Sequence, residues 1–229
     1  MAEVLEREAA GIAGISTVAG RYAIGDQPMH PGLNMFACRL RAISAAEFVV
    51  TAPVIPTIGE RVRASFGPFG SLSGKIARHL DDGFAVAIAH AGDGRAELVA
   101  RIASFRERPW TGTRERRMDH RFMPGEPRSV IGRPDGWAQP CLIVDYSASG
   151  AAVSAAFQPA VGEVVTIGQV TAEVVRLFDV GFAVRFFERQ DPEEIESLLE
   201  APEEWRSAAR RAVPARDPVD PAEVYGADG

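Results

Sequence analysis

The chain repeats itself, and that constrains its fold more than any single motif does. Arg21-Tyr22-Ala23-Ile24-Gly25 resembles Arg128-Ser129-Val130-Ile131-Gly132 at an offset of 107 residues. Cys38, Ser44 and Gly59-Glu60-Arg61-Val62 recur as Cys141, Ser147 and Gly162-Glu163-Val164-Val165 at an offset of 103. Gly83-Phe84-Ala85-Val86 recurs as Gly181-Phe182-Ala183-Val184 at an offset of 98. The order is kept while the offsets shrink through small loop differences. A chain of 229 residues therefore reads as two copies of one small fold.

Each copy reads as short strands followed by a helix. In the second copy the strands are expected at about 128–133, 138–146, 150–156, 163–168, 171–179 and 181–187. They are rich in Val, Ile, Phe and Ala, with turn residues between them. Six short strands at this spacing predict a small antiparallel barrel. Asp191 suits an N-cap, Pro192 the first helical position, and Ile195, Leu198 and Leu199 share one face of the helix that would follow. In the first copy Asp93 opens a similar helix with Leu98, Ile102 and Phe105 inward. The expected fold class is mainly β: two tandem six-stranded antiparallel barrels, each followed by a C-terminal α-helix. The expected divisions are a flexible N-terminus over 1–15, a first barrel over 16–105, a linker over 106–116, a second barrel over 117–205 and a flexible acidic tail over 206–229.

Composition narrows the function classes. The net charge of −6 gives no general basic field for duplex nucleic acid, so no nucleic-acid polymer is expected as a partner. Aliphatic rather than aromatic sheet positions also disfavour a single-strand-binding barrel. No uninterrupted apolar run approaches the ~20 residues of a membrane helix, so no membrane insertion is expected. The N-terminus lacks the basic start and apolar core of a secretory signal, and Cys38 and Cys141 read as reduced, buried thiols. A cytoplasmic location is the resulting expectation. His30, His79, His90 and His120 show no metal-ligand spacing, so no metal is expected. There is no G-x-S-x-G elbow, Walker loop or G-x-G-x-x-G, and neither catalysis nor a cofactor is expected.

Charge is nevertheless uneven. Residues 106–133 hold 8 arginines against 4 acids, whereas 188–229 hold 12 acids against 5 arginines. Within the basic stretch, Arg116-Arg117-Met118-Asp119-His120-Arg121 places Arg117 and Arg121 four residues apart. Further on, Asp145-Tyr146-Ser147-Ala148-Ser149-Gly150 spans the turn between the second and third strands of its copy. A guanidinium fork suits phosphate oxygens, and its flat face stacks on a base. Asp145 is an acceptor for guanine N–H donors, Ser147 donates or accepts beside it, and Gly150 is expected to supply a positive φ and a missing side chain. Taken separately, an arginine-rich linker is ordinarily solvated, and Asp-x-Ser-x-x-Gly is a common local turn. Alone, each stretch favours that ordinary reading, and only their conjunction points elsewhere.

That conjunction resembles the RxxxR and D/NxSxxG motifs of PilZ domains, the cyclic di-GMP receptor modules of bacteria, over roughly residues 113–203. The resemblance implies cyclic di-GMP as ligand, held by Arg117, Arg121, Asp145, Ser147 and Gly150. It implies further that Arg116, just ahead of the motif, accompanies an intercalated ligand dimer. By the offsets, Ala10 and Gly14 take the places of Arg117 and Arg121 in the first copy, Ala42 that of Asp145 and Glu47 that of Gly150; only Ser44 survives. The first barrel is thus expected to be degenerate and non-binding, an output or homodimerisation surface for an unidentified downstream protein. Ligand binding is expected to order residues 113–123 and so change the interdomain arrangement, passing a second-messenger signal to motility, exopolysaccharide or cell-cycle control. The alternative is a protein-interaction or dimerisation module with a vestigial nucleotide site.

Overall fold

The computed structural model describes residues 12–25, 34–107, 121–209 and 213–214. The first copy comprises β1 (Ile12–Ile24), β2 (Met35–Ile43), β3 (Glu47–Thr51), the short β4 (Val54–Ile55), β5 (Arg61–Phe66), β6 (Gly70–Leu80), β7 (Gly83–Ile88) and helix α1 (Gly94–Glu107). The second comprises β8 (Arg128–Gly132), β9 (Ala138–Ser147), β10 (Gly150–Ala155), β11 (Val164–Ile167), β12 (Val170–Phe178), β13 (Gly181–Phe186) and helix α2 (Ile195–Leu199). Helix α3 (Glu203–Ala209) and β14 (Val213–Pro214) follow.

Both copies close into six-stranded antiparallel barrels. The first runs β1-β2-β3-β7-β6-β5 and the second β8-β9-β10-β13-β12-β11, the same order strand for strand. Period-2 patterning drives this: Val62, Ala64 and Phe66 on β5, like Val165 and Ile167 on β11, point inward and are buried. The first core is aromatic, with Tyr22 against Phe84 at 5.1 Å and Phe48 against Phe66 at 5.4 Å. The second is built mainly from aliphatic side chains, including Ile131, Ile143, Val153, Ile167 and Val174. Gly83 and Gly181 hold equivalent places because a Cβ there would lie 1.9 and 2.0 Å from the carbonyls of Val50 and Val153.

Cross-strand pairing corrects one part of the repeat alignment. Gly20 pairs with Cys38 and Ser129 with Cys141, so β1 and β8 correspond at an offset of 109, not 107. Nearer the strand's start, Ile12 pairs with Ile43 as Phe122 bridges Tyr146. By that pairing Gly14 is not the counterpart of Arg121; the counterpart falls at position 11, outside the described residues. The bulges repeat as well. Val144 on β9 is an extra residue between two ladder pairs, as Arg41 is on β2.

The helix expected from Asp191 is shorter than the sequence suggested. Asp191 Oδ1 accepts from the Glu193 amide at 2.8 Å and caps a turn, but α2 itself begins at Ile195. It ends after one turn and a half because Glu200 is extended and Pro202 follows closely. Its last carbonyls are taken by the barrel: Leu198 accepts from the Gln169 amide at 2.8 Å, and Leu199 from Ser129 Oγ.

The barrels meet through the outer face of β2. Phe36, Cys38 and Leu40 fill the first core, while Met35, Ala37 and Arg39 on the opposite face are also buried. Ser154 Oγ of β10 accepts from the Ala37 amide at 3.1 Å and donates to the Val180 carbonyl at 2.6 Å. Arg128 donates to the Ala52 carbonyl. Arg21 and Asp179 also face each other across the interface, at 3.9 Å and largely in solvent, where such a pair contributes little. Among the described residues, no helix is long and apolar enough to cross a membrane.

Candidate functional site

The site forms on β9 of the second barrel. Cys141 and Ile143 face the core, and strict alternation would turn Asp145 inward as well. The bulge at Val144 shifts the phase, so that Tyr146 is buried in the core and Asp145 faces outward. The segment before β8 then lies against this strand. Phe122 and Tyr146 exchange two backbone bonds, of 2.8 Å and 2.9 Å, and their rings sit 5.8 Å apart. The Ile143 amide donates to the Pro127 carbonyl at 2.7 Å.

This bridge carries Arg121 to Asp145. Arg121 Nη1 donates to Oδ1 at 2.8 Å and to Oδ2 at 3.1 Å. The side chains are 33% and 28% exposed, so solvent reaches both partners and a ligand could as well. Residues 24 apart in sequence are thereby joined, one from each motif. Arg116 and Arg117 lie outside the described residues.

Ser147 and Gly150 are close by in the chain but have other work. Ser147 is only 8% exposed, and its Oγ accepts from the Ser149 amide at 3.3 Å and donates to the Gly150 carbonyl at 3.4 Å. Ser44 does the same at the equivalent turn, accepting from the Glu47 amide at 3.0 Å and donating to its carbonyl at 3.2 Å. The serine common to both copies is therefore a turn former in each. Gly150 is not among the glycines with positive φ, contrary to the expectation. It is required by close approach: a Cβ would lie 2.2 Å from the Val184 carbonyl of the paired strand.

Three participants escaped the sequence reading. Glu196 of α2 accepts from the Gly125 amide at 2.7 Å and from Tyr146 Oη at 2.8 Å, tying the basic segment and β9 to the helix. Tyr146 is buried, and that burial together with the Glu196 carboxylate pushes its pKa up to about 12. Its inward spacing from Ile143, three residues rather than two, was the available sign of the bulge. Arg39 of the first barrel reaches the same neighbourhood, donating to the Pro124 and Val144 carbonyls. Trp137 lies just ahead of β9, eight residues before Asp145 and so at most ~26 Å from it along the strand. Its ring meets Phe157 at 4.7 Å with the Arg133 guanidinium 5.0 Å from its centroid, so it packs locally.

In the first barrel the corresponding surface carries its own ion pairs. Arg78 pairs with Glu47 at 2.8 Å and Arg41 with Asp82 at 2.7 Å. Ala42 stands where Asp145 does, paired with Val49 as Asp145 is with Ala152.

No family model and no curated protein matches the chain. Several solved structures align along most of it. One is PlzA of Borreliella burgdorferi in complex with c-di-GMP, with 13% identity, 86% of this chain and 97% of that one covered, and a TM-score of 0.25. Another is the inhibitor of motility MotI/DgrA of Bacillus subtilis, with 15% identity, 82% and 94% covered, and a TM-score of 0.26. A third is YcgR of Escherichia coli in complex with c-di-GMP, with 12% identity, 86% and 85% covered, and a TM-score of 0.24. At these identities and TM-scores the likeness does not bear on what this chain binds.

Proposed function

We propose that the chain is a cyclic di-GMP receptor of PilZ type, with one nucleotide site on the second barrel and a first barrel that has lost its own. The observation that carries this is the meeting of Arg121 with Asp145. Two motifs separated in sequence are joined at an exposed edge, in the order the resemblance requires. Arg121 engages Asp145 through Nη1 alone, so the pair is loose enough to be redistributed onto a ligand. In the bound state Arg121, with Arg117 and Arg116 from the preceding segment, takes phosphate oxygens and a guanine face, and Asp145 accepts guanine N–H groups. Ser147 and Gly150 shape the turn beneath the ligand. Binding brings Arg116 and Arg117 onto the ligand beside Arg121, and the signal passes through the first barrel to a protein partner.

Calorimetric titration of cyclic di-GMP into the wild type, Arg117→Ala and Asp145→Ala tests this. Saturable binding by the wild type is expected, with each substitution costing on the order of 2–5 kcal/mol. Two ligands per chain would mark the intercalated dimer implied by Arg116. Silence of the wild type at high micromolar ligand would sink the assignment. It would favour the second reading, a protein-interaction module in which Arg121 and Asp145 simply satisfy each other. Scattering profiles that do not change at saturation would remove the interdomain part of the proposal.

A further inference from the structure

Arg39 is a cation buried between two barrels, at 4% exposure, and its partners are backbone carbonyls of the other barrel. Nη1 donates to the Pro124 carbonyl at 2.6 Å. Nη2 donates to the Val144 carbonyl at 3.1 Å and lies 3.5 Å from that of Ile143. Burial pushes the Arg39 pKa down, and the carboxylates of Glu126 and Glu196 push it back up. A buried guanidinium is costly unless its geometry is well matched, and only a planar fork reaches two separated carbonyls at once.

The residues it holds matter more than the interface area. Pro124 is three residues after Arg121, on the segment that carries the arginine to β9. Val144 is the bulged residue, and its bulge is what turns Asp145 outward. A bulge frees a strand carbonyl from the regular ladder, and Arg39 occupies the one at Val144. One side chain of the first barrel thus grips both halves of the Arg121–Asp145 pair from behind, without touching either.

We propose that Arg39 is a positioning residue for the nucleotide site, so that docking of the first barrel through β2 preorganises Arg121 and Asp145 in the second. This rests on the reading of that pair as the ligand site. By linkage, whatever factor docking adds to ligand affinity, ligand adds to docking. The barrel without a site is then part of the site's construction as well as its output.

Two readouts separate this from the ligand assignment. The first is amide hydrogen exchange in full-length Arg39→Met and Arg39→Lys, without ligand. The amides of Phe122 and Tyr146 are expected to lose protection in both variants, while the Val174 amide of β12, which donates to the Glu163 carbonyl at 2.9 Å, keeps its own. Wild-type protection at Phe122 and Tyr146 would overturn the proposal whatever the ligand does. The second is calorimetry with cyclic di-GMP. Arg39→Met is expected to weaken binding about tenfold, within the usual range of coupling between sites, while Arg21→Ala at the exposed Asp179 contact stays within twofold. Wild-type binding that survives in Arg39→Met within twofold would also overturn it. If the wild type does not bind but the two amides lose protection, the ligand reading fails and the positioning role stands. Should Arg39→Met not fold, Arg39→Lys supplies both measurements.

Discussion

Arg121 and Asp145 show how little an ion pair at the proposed site need add to the fold. With about a third of each side chain in solvent, their ion pair is worth no more than about 1 kcal/mol. Urea unfolding of Asp145→Ala should therefore stay within that margin of the wild type even where ligand binding is lost. Gly150 behaves in the opposite way. A methyl group there meets the Val184 carbonyl, so Gly150→Ala should destabilise the second barrel by about 1–3 kcal/mol or more, seen as a lower urea midpoint. The motif glycine was visible in the sequence, but its reason was not: a turn signal suggests positive φ, while close approach across a ladder depends on a partner 34 residues away. The thiols give a third residue-level outcome. Burial lifts Cys141 from an ordinary 9.0 to about 12, and Cys38 further in the same direction. A raised folded pKa contributes stability that is complete below pH 9 and lost as pH rises toward 12. Unfolding free energies measured across that window should fall, and Cys141→Ala should make the decline shallower. A flat profile in the wild type would contradict the burial of both thiols.

At the scale of elements, β9 is the organiser. It lines the second core through Cys141, Ile143 and Tyr146, presents Asp145 outward, receives the Arg121 segment, and packs near β2 of the first barrel. Helix α2 secures this arrangement through Glu196. Glu196→Ala should release Gly125 and Tyr146 together and lower stability by about 1–3 kcal/mol, read by thermal unfolding; Glu196→Gln should lose less, because one acceptor remains. An unchanged midpoint in Glu196→Ala would contradict the tie. The strands themselves were legible because period-2 alternation and turn residues are local signals. The bulge at Val144 was nearly so, from the interval between Ile143 and Tyr146. The length of α2 was not, since its end is set by barrel groups taking the Leu198 and Leu199 carbonyls and by the approach to Pro202. Arg39 was least legible of all. A strand reading Met-Phe-Ala-Cys-Arg-Leu-Arg suggests a solvated arginine, and only the docking of a second barrel makes it a buried one.

For the molecule as a whole, two barrels share one topology but carry different residues at the equivalent turn. The first keeps the turn serine and the bulge but has Ala42 in place of the acid, Glu47 in place of the glycine, and ion pairs over the same surface. The second keeps Asp145 and receives Arg121. Strap-like contacts add to the union: α3 packs on β8 and β9, and β14 pairs in parallel with β4 of the first barrel. The proposal of a single cyclic di-GMP site on the second barrel is tested most directly by backbone amide chemical-shift mapping during a ligand titration. Saturable shifts are expected at Arg121, Asp145, Ser147 and Gly150, larger than any at the equivalent Ala42, Ser44 and Glu47. Shifts centred on the first barrel, or none at millimolar ligand, would contradict it.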